Sequence, residues 1–378
     1  MIYKLSDICD YVKGKVDISK LDFCTYISTE NMLSNKAGII ESSALPNIKQ
    51  TQIYRAGDVL VSNIRPYFKK IWYATYDGGC SNDVLVFRAK NGVSKRFLYY
   101  VLADDNFFSY SMLNSKGTKM PRGDKKAIME YKVPKFSYEE QVKIAKILGD
   151  LDDKVAVNKA INRNLSEQAK ALFEEELLKF DSVPEGWKKG SLSDIADYLN
   201  GLAMQKFRSG DDEKGLPVLK IKELRQGSCD ANSELCSLNI KPEYIIHDGD
   251  VIFSWSGSLL VDFWCGGECG LNQHLFKVTS KKYDKWFYYA WTLYHLDRFI
   301  AVAADKATTM GHIKREELSK AEVLIPDSDS YKRIGEVLGP LYDMIISNRV
   351  ENRRLATLRD ELLPMLMSGK MDVSEVEL

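Results

Sequence analysis

The chain has 378 residues, of which 45% are hydrophobic, and its 53 basic residues balance its 53 acidic residues. This length predicts about two or three domains, and the apolar share is that of globular proteins with buried cores. A net charge of zero excludes the overall basic excess of many nucleic-acid-binding proteins, so any such surface must be a local patch.

No apolar run approaches the roughly 18 residues of a membrane span, and the start "MIYKLSDICDY" carries acidic residues that a signal peptide lacks. The seven cysteines have no disulfide-like spacing, which favours reduced thiols. Cys229, Cys236, Cys265 and Cys269 could bind zinc, but their spacing is poor, so we predict no metal site. Together these features predict a cytoplasmic protein.

In chain order, short strands come first, rich in β-branched and aromatic residues and bounded by Gly, Asn and Asp. They include "DVLVSNI", "KKIWYATY" and "DVLVFRA", and the apolar run "RFLYYVLADDNFF" then predicts a helix. Ser137 and Glu140 predict a capping box at the start of a long helix, whose first turns Gly149 is expected to kink or interrupt.

The second half of the chain repeats the first at an offset of about 190 residues. "LSDI" stands at 5–8 and 192–195, and "GDVLVS" at 57–62 matches "GDVIFS" at 249–254. The ordered series continues into a second long helix, whose first turns the pair Gly339-Pro340 is expected to interrupt. A duplicated domain pair explains this order.

We therefore predict a mixed α/β (α+β) fold, in which two similar domains are joined by two long antiparallel, coiled-coil-like helices as a pseudo-two-fold tandem repeat. Between the matched landmarks the halves diverge, which indicates either a kept scaffold with a variable surface or drift after duplication. The predicted segments are a first domain at 1–136, a first spacer helix region at 137–181, a second domain at 182–327 and a second spacer helix region at 328–378.

Asparagines occupy consecutive positions of the apolar seam in both long helices. Polar seam residues cost stability but fix the register and orientation of paired helices. If the helices pair antiparallel, the asparagines of one can meet those of the other. The alternative is exposure to solvent or to a partner protein, which Arg359 at a seam position favours. The candidate helix-pairing residues are Asn158, Asn162, Asn348 and Asn352.

The motifs of common enzymes are missing from the sequence. There is no phosphate-binding loop, no glycine-rich dinucleotide fingerprint, no Asn-Pro-Pro-aromatic motif of adenine methyltransferases and no convincing nuclease constellation. The four histidines all lie in the second half, without matching acidic residues in the first. We therefore predict no catalytic residue in this chain.

Loops rich in basic residues stand at corresponding places in both repeats. In the first repeat they are "IRPYFKK" at 64–70 and "SKGTKMPRGDKK" at 115–126, and in the second "AMQKFRSG" at 203–210 and "DKATTMGHIKREE" at 305–317. Phosphate contact combined with base-edge readout uses such residues. A solvated charged loop is the alternative for any single patch, and the corresponding loops around residues 117–126 and 307–316 favour DNA binding.

Five stretches are distinctive when taken together: "YEEQVKIAKILGDLDDKV", "NRNLSEQAKALFEEEL", "VPEGWKKGSLSDIADYLNG", "GECGLNQHLFKV" and "LRDELLPMLMSGKMDV". With them, the chain resembles over essentially its whole length the specificity subunits (HsdS) of type I restriction–modification systems. The resemblance implies two target-recognition domains, each of which reads one half of a split DNA sequence. It also implies that partner subunits carry out the catalysis.

Those partners would be two methyltransferase subunits, which use S-adenosylmethionine, and restriction subunits, which use ATP and Mg²⁺. The chain itself would then need no cofactor. Two alternatives stay open. One is a coiled-coil interaction scaffold that does not bind DNA, and the other is the specificity subunit of a related system whose methyltransferase and nuclease share one polypeptide.

Most of the candidate DNA-binding residues come from the basic loops. For the first half-site they are Arg65, Tyr67, Lys69, Lys119, Arg122 and Lys125. For the second half-site they are Lys206, Arg208, Ser256, His274, Thr308, Thr309, His312 and Lys314.

Overall fold

The chain folds into two units. Unit 1 comprises Met1–Asp153 and Ala356–Leu378, and unit 2 comprises Lys154–Leu355. The computed structural model describes residues 2–210, 214–305 and 313–377. Unit 1 is therefore built from both terminal segments of the chain, whereas unit 2 is a single continuous segment.

Unit 1 combines short strands with helices. In chain order its described elements are β1 (Ile2–Lys4), α1 (Leu5–Ile8), β2 (Cys9–Tyr11), β3 (Lys15–Asp17), β4 (Tyr26–Ile27), β5 (Gln50–Tyr54), β6 (Val59–Ser62), β7 (Ile71–Tyr73), β8 (Gly78–Cys80), β9 (Val84–Ala89), α2 (Lys95–Ala103), α3 (Asp105–Leu113), β10 (Ser115–Lys116), β11 (Arg122–Gly123), α4 (Lys125–Met129), β12 (Lys132–Pro134) and α5 (Tyr138–Phe173). Helix α5 continues into unit 2.

Unit 2 repeats this order. Its described elements are β13 (Lys188–Ser191), α6 (Leu192–Ile195), β14 (Asp197–Asn200), β15 (Leu216–Leu219), α7 (Ile221–Gln226), β16 (Leu235–Cys236), β17 (Ile245–Ile246), β18 (Val251–Ser254), β19 (Leu260–Phe263), β20 (Cys269–Leu271), β21 (Leu275–Thr279), α8 (Lys285–Tyr294), α9 (Leu296–Asp305), α10 (Arg315–Ser319), β22 (Glu322–Ile325) and α11 (Ser328–Met367). The two "LSDI" copies form α1 and α6, so the predicted mixed fold in duplicate is confirmed.

A four-stranded antiparallel sheet forms the centre of each unit. Its strand order is β2, β9, β6, β7 in unit 1 and β14, β21, β18, β19 in unit 2. Successive side chains of a strand point to opposite faces of the sheet, so each central strand contributes side chains to two hydrophobic cores. In β6, Val59 and Val61 pack with helices α2 and α3, whereas Leu60 packs with the second sheet. In β18, Phe253 likewise packs with the helices of unit 2, whereas Ile252 packs with the second sheet.

The second sheet differs between the units at its edge. Both versions contain a central strand with one parallel and one antiparallel neighbour, namely β8 between β4 and β5, and β20 between β15 and β17. The outer strand is β3 beside β5 in unit 1, but β16 beside β15 in unit 2. These edges come from the poorly aligned parts of the repeats, so the divergence of the sequence changes strand placement.

The long helices are continuous, so the expected interruption of their first turns is wrong. Helix α5 is followed directly by a π-helical turn at Glu174–Leu178, and neither Gly149 in α5 nor Gly339-Pro340 in α11 divides its helix. The neighbouring Leu148 and Leu338 are buried, so packing stabilises both segments. Gly339 also has no Cβ to meet the ring of Pro340, which removes one part of the usual steric clash before a proline.

The start of α5 is fixed by the predicted capping box. The Glu140 amide donates to the Ser137 hydroxyl at 3.2 Å, and the Ser137 amide donates to the Glu140 carboxylate at 2.6 Å. Hydrogen bonds from the Ser137 hydroxyl and amide lower the pKa of the Glu140 carboxyl below its ordinary value. Two otherwise unpaired donors at the helix start are thereby satisfied.

In unit 2, helices α5 and α11 pair antiparallel through polar layers. The Asn348 amide nitrogen donates to the Asn162 side-chain oxygen at 2.8 Å, and Asn158 donates to the Asn352 oxygen at 3.0 Å. Asn158 also donates to the Glu351 carboxylate at 2.6 Å. The structure therefore places the four asparagines between the helices, and Asn158, Asn162 and Asn348 are buried there.

The seam position Arg359 lies in unit 1 and forms an ion pair. Its guanidinium lies 2.8 Å from the Asp152 carboxylate, which also accepts a hydrogen bond from the Tyr100 hydroxyl at 2.7 Å. Burial acts to lower the pKa of Arg359, but the charges of Asp152 and Asp360 raise it above its ordinary value. The seam therefore contains an arginine that is paired with Asp152, whereas the sequence favoured exposure of Arg359 to solvent or to a partner protein.

The cysteine side chains of this protein are thiols. All seven cysteines are free. A hydrogen bond with the Cys269 thiol lowers the pKa of the Cys229 thiol. In the described part of the chain, no group of three or more His, Cys, Asp or Glu residues could hold a metal ion, and no helix is long and apolar enough to cross a membrane.

Removing the capping hydroxyl tests the start of α5. We expect Ser137→Ala to lower the free energy of unfolding by about 1 kcal/mol at pH 7, because the Glu140 amide loses its acceptor.

The same cap predicts a pH dependence. Since the folded pKa of Glu140 is lowered, its contribution to the free energy of unfolding is present above the ordinary value of 4.5 and is lost as the pH falls below it. Glu140→Gln should therefore weaken the acid dependence. Urea denaturation measures both effects, with the exposed Ser182→Ala as control; equal losses at positions 137 and 182 would refute the cap.

The asparagine layer can be tested with a double-mutant cycle. Asn348→Leu leaves the buried Asn162 oxygen without its donor and should cost about 1–3 kcal/mol, whereas replacing both residues by Leu should restore most of that loss. Asn164→Leu, on the exposed side of α5, should change stability by less than about 0.5 kcal/mol. Additive losses from the two single substitutions in denaturant titrations would contradict the pairing.

Candidate nucleic-acid interface

In unit 1, two segments of backbone meet where β6 ends. The Arg65 amide donates to the Pro121 carbonyl at 2.8 Å, and the Gly123 amide donates to the Asn63 carbonyl at 3.3 Å. Ile64 and Arg122 form an antiparallel bridge between the same segments. The basic loops at 64–70 and 115–126, which are distant in sequence, therefore form one surface.

The arginine at this junction stays accessible. The Arg122 guanidinium lies 3.1 Å from the Asp83 carboxylate, and its side chain is still 56% exposed. Lys119 and Lys125 are exposed on the same loop and at the first position of α4. Beside them, a hydrogen bond from Lys116 lowers the pKa of Asp124 to about 2, and the Lys125 carbonyl accepts the Tyr11 hydroxyl at 3.0 Å. The loop thus presents cations from a fixed backbone.

The turn after β6 holds the other candidates of the first half-site. Arg65 and Lys69 both have a φ of 50° and flank the short helical turn Pro66–Phe68. Tyr67 within the turn is exposed, and the Lys69 ammonium lies 2.7 Å from the Asp105 carboxylate. The structure therefore brings Arg65, Tyr67 and Lys69 together with the loop that contains Arg122.

In unit 2, the corresponding end of β18 is organised by Trp255. The Trp255 indole nitrogen donates to the Asn200 side-chain oxygen at 3.0 Å, and the ring stacks on Phe276 with centroids 5.6 Å apart. The Ile313 amide donates to the Trp255 carbonyl at 3.1 Å, as Gly123 does to Asn63 in unit 1. A cavity of about 430 Å³ opens beside the tryptophan, lined by Asn200, Trp255, Phe276, Ile313, Lys314 and Arg315.

Three candidates of the second half-site lie around this tryptophan. The His274 ring centroid is 6.2 Å from that of Trp255, and its Nδ1 is buried without a hydrogen-bond partner among the described residues. Lys314 is exposed at the cavity, whereas Ser256 is only 6% exposed. The exposed Lys314 beside this aromatic wall can contact a phosphate, whereas the His274 Nδ1 is closed to solvent.

The remaining candidates are placed differently. Lys206 ends the short helical turn Met204–Lys206, and Arg208 forms a bridge with Cys236, so both belong to the edge of the second sheet. Among the described contacts, none joins Lys206 or Arg208 to Trp255. Thr308, Thr309 and His312 lie outside the described residues.

Sequence reasoning missed Asn200, Trp255 and Arg315. The Arg315 guanidinium donates to the Tyr198 carbonyl at 2.9 Å and lies 5.7 Å from the Phe276 ring, which fixes it beside the cavity. The repeat contained a signal for it, because the offset of about 190 residues pairs Arg315 with Lys125. No such signal pointed to Trp255, whose counterpart in unit 1 is Asn63.

Two further ion pairs attach α11 to the central sheet of unit 2. The Arg349 guanidinium lies 2.6 Å from Asp262 on the edge strand β19. Arg353 lies 2.7 Å from Asp248 and donates to the Cys265 carbonyl at 2.7 Å. The carboxylates of Asp248 and Asp262 are about 29% exposed, so both pairs are partly shielded from water. These ion pairs therefore link α11 to strand β19 and to the loop that precedes β18.

Comparison with known proteins gives the family. The model of the type I restriction modification DNA specificity domain matches residues 1–167 and 184–356, which is one match in each repeat. The MjaIX specificity subunit of Methanocaldococcus jannaschii is 25% identical over 317 residues, covering 76% of this chain and 71% of the relative. The MjaVIII specificity subunit of the same organism is 23% identical, covering 99% and 93%.

A solved structure agrees with the fold. The S subunit of a type I restriction–modification system from M. genitalium superimposes with a TM-score of 0.58 at 14% identity, covering 97% of this chain and 96% of that one. At this identity the likeness concerns the fold alone. The two matches to the family model cover most of the sequence, and the chain therefore belongs to the family of type I restriction–modification DNA specificity proteins.

Proposed function

We propose that this chain is the DNA sequence-specificity subunit of a type I restriction–modification enzyme, in which each unit reads one half of a bipartite target. The observation that carries the proposal is the duplicated sheet end. In both units the residue after the central strand, Asn63 or Trp255, accepts a backbone hydrogen bond from the loop before α4 or α10. Both loops lead into exposed basic residues, Lys125 in unit 1 and Lys314 in unit 2.

Within this surface the side chains divide by chemistry. Exposed cations such as Lys119, Arg122 and Lys314 can neutralise phosphates, which gives affinity without sequence preference. Less exposed polar groups on fixed supports, such as His274 and Asn200, can read base edges. The two units present different groups at the same place, so one fold can read two different half-sites.

The proposal assigns catalysis to partner subunits. Two methyltransferase subunits would supply S-adenosylmethionine and take the target adenine out of the duplex, and restriction subunits would supply ATP and Mg²⁺ chemistry. The chain would act where the chromosome is, in the cytoplasm. The names of the relatives, which are specificity subunits of type I restriction enzymes, support a role within such a multi-subunit enzyme.

The first experiment maps methylated adenines genome-wide in cells that express the chain with its neighbouring methyltransferase, against cells with the methyltransferase alone. We expect a split motif, with several unspecified bases between its halves, that appears only when the chain is present. If the two proteins form a soluble complex and no new methylation appears, the chain is an interaction scaffold and the proposal is wrong.

Salt-titrated binding tests the phosphate contacts. In complexes with the methyltransferase subunits, Arg122→Ala should weaken binding to all sequences alike and reduce the slope of log K against log salt by about one. Its exposed ion pair with Asp83 contributes about 0–1 kcal/mol, so folding should not change. Lys146→Ala on α5, whose ammonium pairs with Asp150, is the matched control. Identical slopes for the wild type and Arg122→Ala would remove Arg122 from the interface.

A further inference from the structure

Backbone strain is concentrated in one small region of unit 1. Among the described residues, the non-glycine residues with positive φ are Asn35 at 56°, Lys36 at 61°, Arg65 at 50° and Lys69 at 50°. Residues with a Cβ rarely adopt this left-handed conformation, and clusters of such residues mark functional sites whose surroundings hold them in place. All four belong to two short segments, 33–38 and 64–70.

The two segments are joined to each other by backbone hydrogen bonds. The Asn35 amide donates to the Phe68 carbonyl at 2.8 Å, and the Lys36 amide donates to the Lys69 carbonyl at 2.9 Å. The left-handed residues Asn35 and Lys36 thus bond directly to the turn that Arg65 and Lys69 flank. The Arg65 amide, bonded to Pro121, ties this pair of segments to the basic loop.

A shared carboxylate strengthens the junction. The Lys36 and Lys69 ammonium groups lie 2.8 Å and 2.7 Å from the two oxygens of Asp105, the first residue of α3. Burial acts to raise the pKa of Asp105, but the two lysines lower it below its ordinary value. The carboxylate is therefore ionised at neutral pH and holds both segments against α3.

This rigid support presents two aromatic rings to solvent. Tyr67 is 49% exposed and Phe68 is 36% exposed, and their ring centroids are 4.7 Å apart. Exposed aromatic side chains on a fixed backbone lose little conformational freedom on binding, and they do not contribute to the core of the unit. The exposed part of each ring adds no burial to the fold, which points to a partner that covers it.

The charges around the rings select the chemistry of that partner. Arg65 and Lys69 border the turn, Arg122 and Lys119 lie on the adjoining loop, and the Lys70 ammonium is 5.8 Å from the Phe68 ring. An apolar pair surrounded by cations fits a polyanion that contains stacked apolar groups. Duplex DNA has both features, and DNA-binding proteins insert apolar side chains between base steps at such surfaces.

The described residues of unit 2 contain no counterpart of this strained aromatic turn. Between β18 and β19 the chain reads "WSGSL", whereas between β6 and β7 it reads "NIRPYFKK". The shorter connection reaches its positive φ at Gly257, which adopts 67° without the strain of a side chain. The aromatic pair is thus an insertion specific to unit 1, at the sheet end where the repeats otherwise correspond.

We propose that Tyr67 and Phe68 form a wedge that enters a base step of the half-site read by unit 1 and unstacks it, with segments 33–38 and 64–70 as its rigid mount. This inference rests on the proposed function, because it requires that unit 1 binds DNA. The wedge would contribute to sequence specificity without hydrogen bonds to base edges. Base steps that unstack easily would accept it at a lower cost in deformation free energy than stiffer steps.

The test uses the complex of the full chain with its methyltransferase subunits, on a duplex that contains the mapped target. 2-Aminopurine, which fluoresces when unstacked, replaces each purine of the two half-sites in turn. The wild-type complex should raise the fluorescence at one step in one half-site. Tyr67→Ala with Phe68→Ala should abolish that rise and weaken binding roughly ten-fold, as expected for the loss of base–aromatic stacking.

Phe23→Ala is the matched control, because Phe23 is an aromatic residue of the same unit with 52% exposure. It should leave both fluorescence and affinity unchanged. If the wild type binds and methylates its target without any rise, or if the double variant keeps the rise, the wedge is refuted while the proposed function stands. If the wild-type complex does not bind the duplex at all, the proposed function fails and the wedge fails with it.

Discussion

Burial of both faces of the central sheet is the constraint on which each unit depends. The strands β6 and β18 place alternate side chains into a helix-covered core and a sheet-covered core, so the first three residues of each strand are apolar on both faces. Helices, second sheet and strand register are therefore tied to one another. Variation is left to strand ends, loops and sheet edges, where a change in sequence does not open a core.

The surfaces at those strand ends follow from this constraint. In unit 1 the end of β6 carries a strained turn with Arg65 and Tyr67, and in unit 2 the end of β18 carries Trp255 beside His274. Each group rests on the same backbone contact from the following loop. One scaffold thus supports two chemically different surfaces, which is what the reading of two unlike half-sites requires.

The pairing of the long helices uses polar contacts where leucines would give more stability. In unit 2 the buried asparagines bond to one another, and the Asn158 side-chain oxygen has no hydrogen-bond partner among the described residues. A buried unpaired acceptor costs free energy, so these layers contribute register more than stability. In unit 1 the Arg359–Asp152 pair is also a polar contact that is costly to break. Removal of either partner would leave the other as a largely covered, unpaired charge.

The sequence by itself determined the duplication, because the two copies can be aligned directly. It also determined the mixed fold and the capping box at Ser137, because strand and helix propensity and local hydrogen bonding depend on residues that are close in sequence. It also placed asparagines at seam positions, since a helical period puts them on one face. Only the tertiary structure decided that Gly339-Pro340 would not divide its helix, because the packing of Leu338 outweighs a local preference. The grouping of Arg65 with Pro121, of Trp255 with His274 and of Asn35 with Phe68 also required the fold, because residues distant in sequence meet only once the sheet has set the positions of its strand ends.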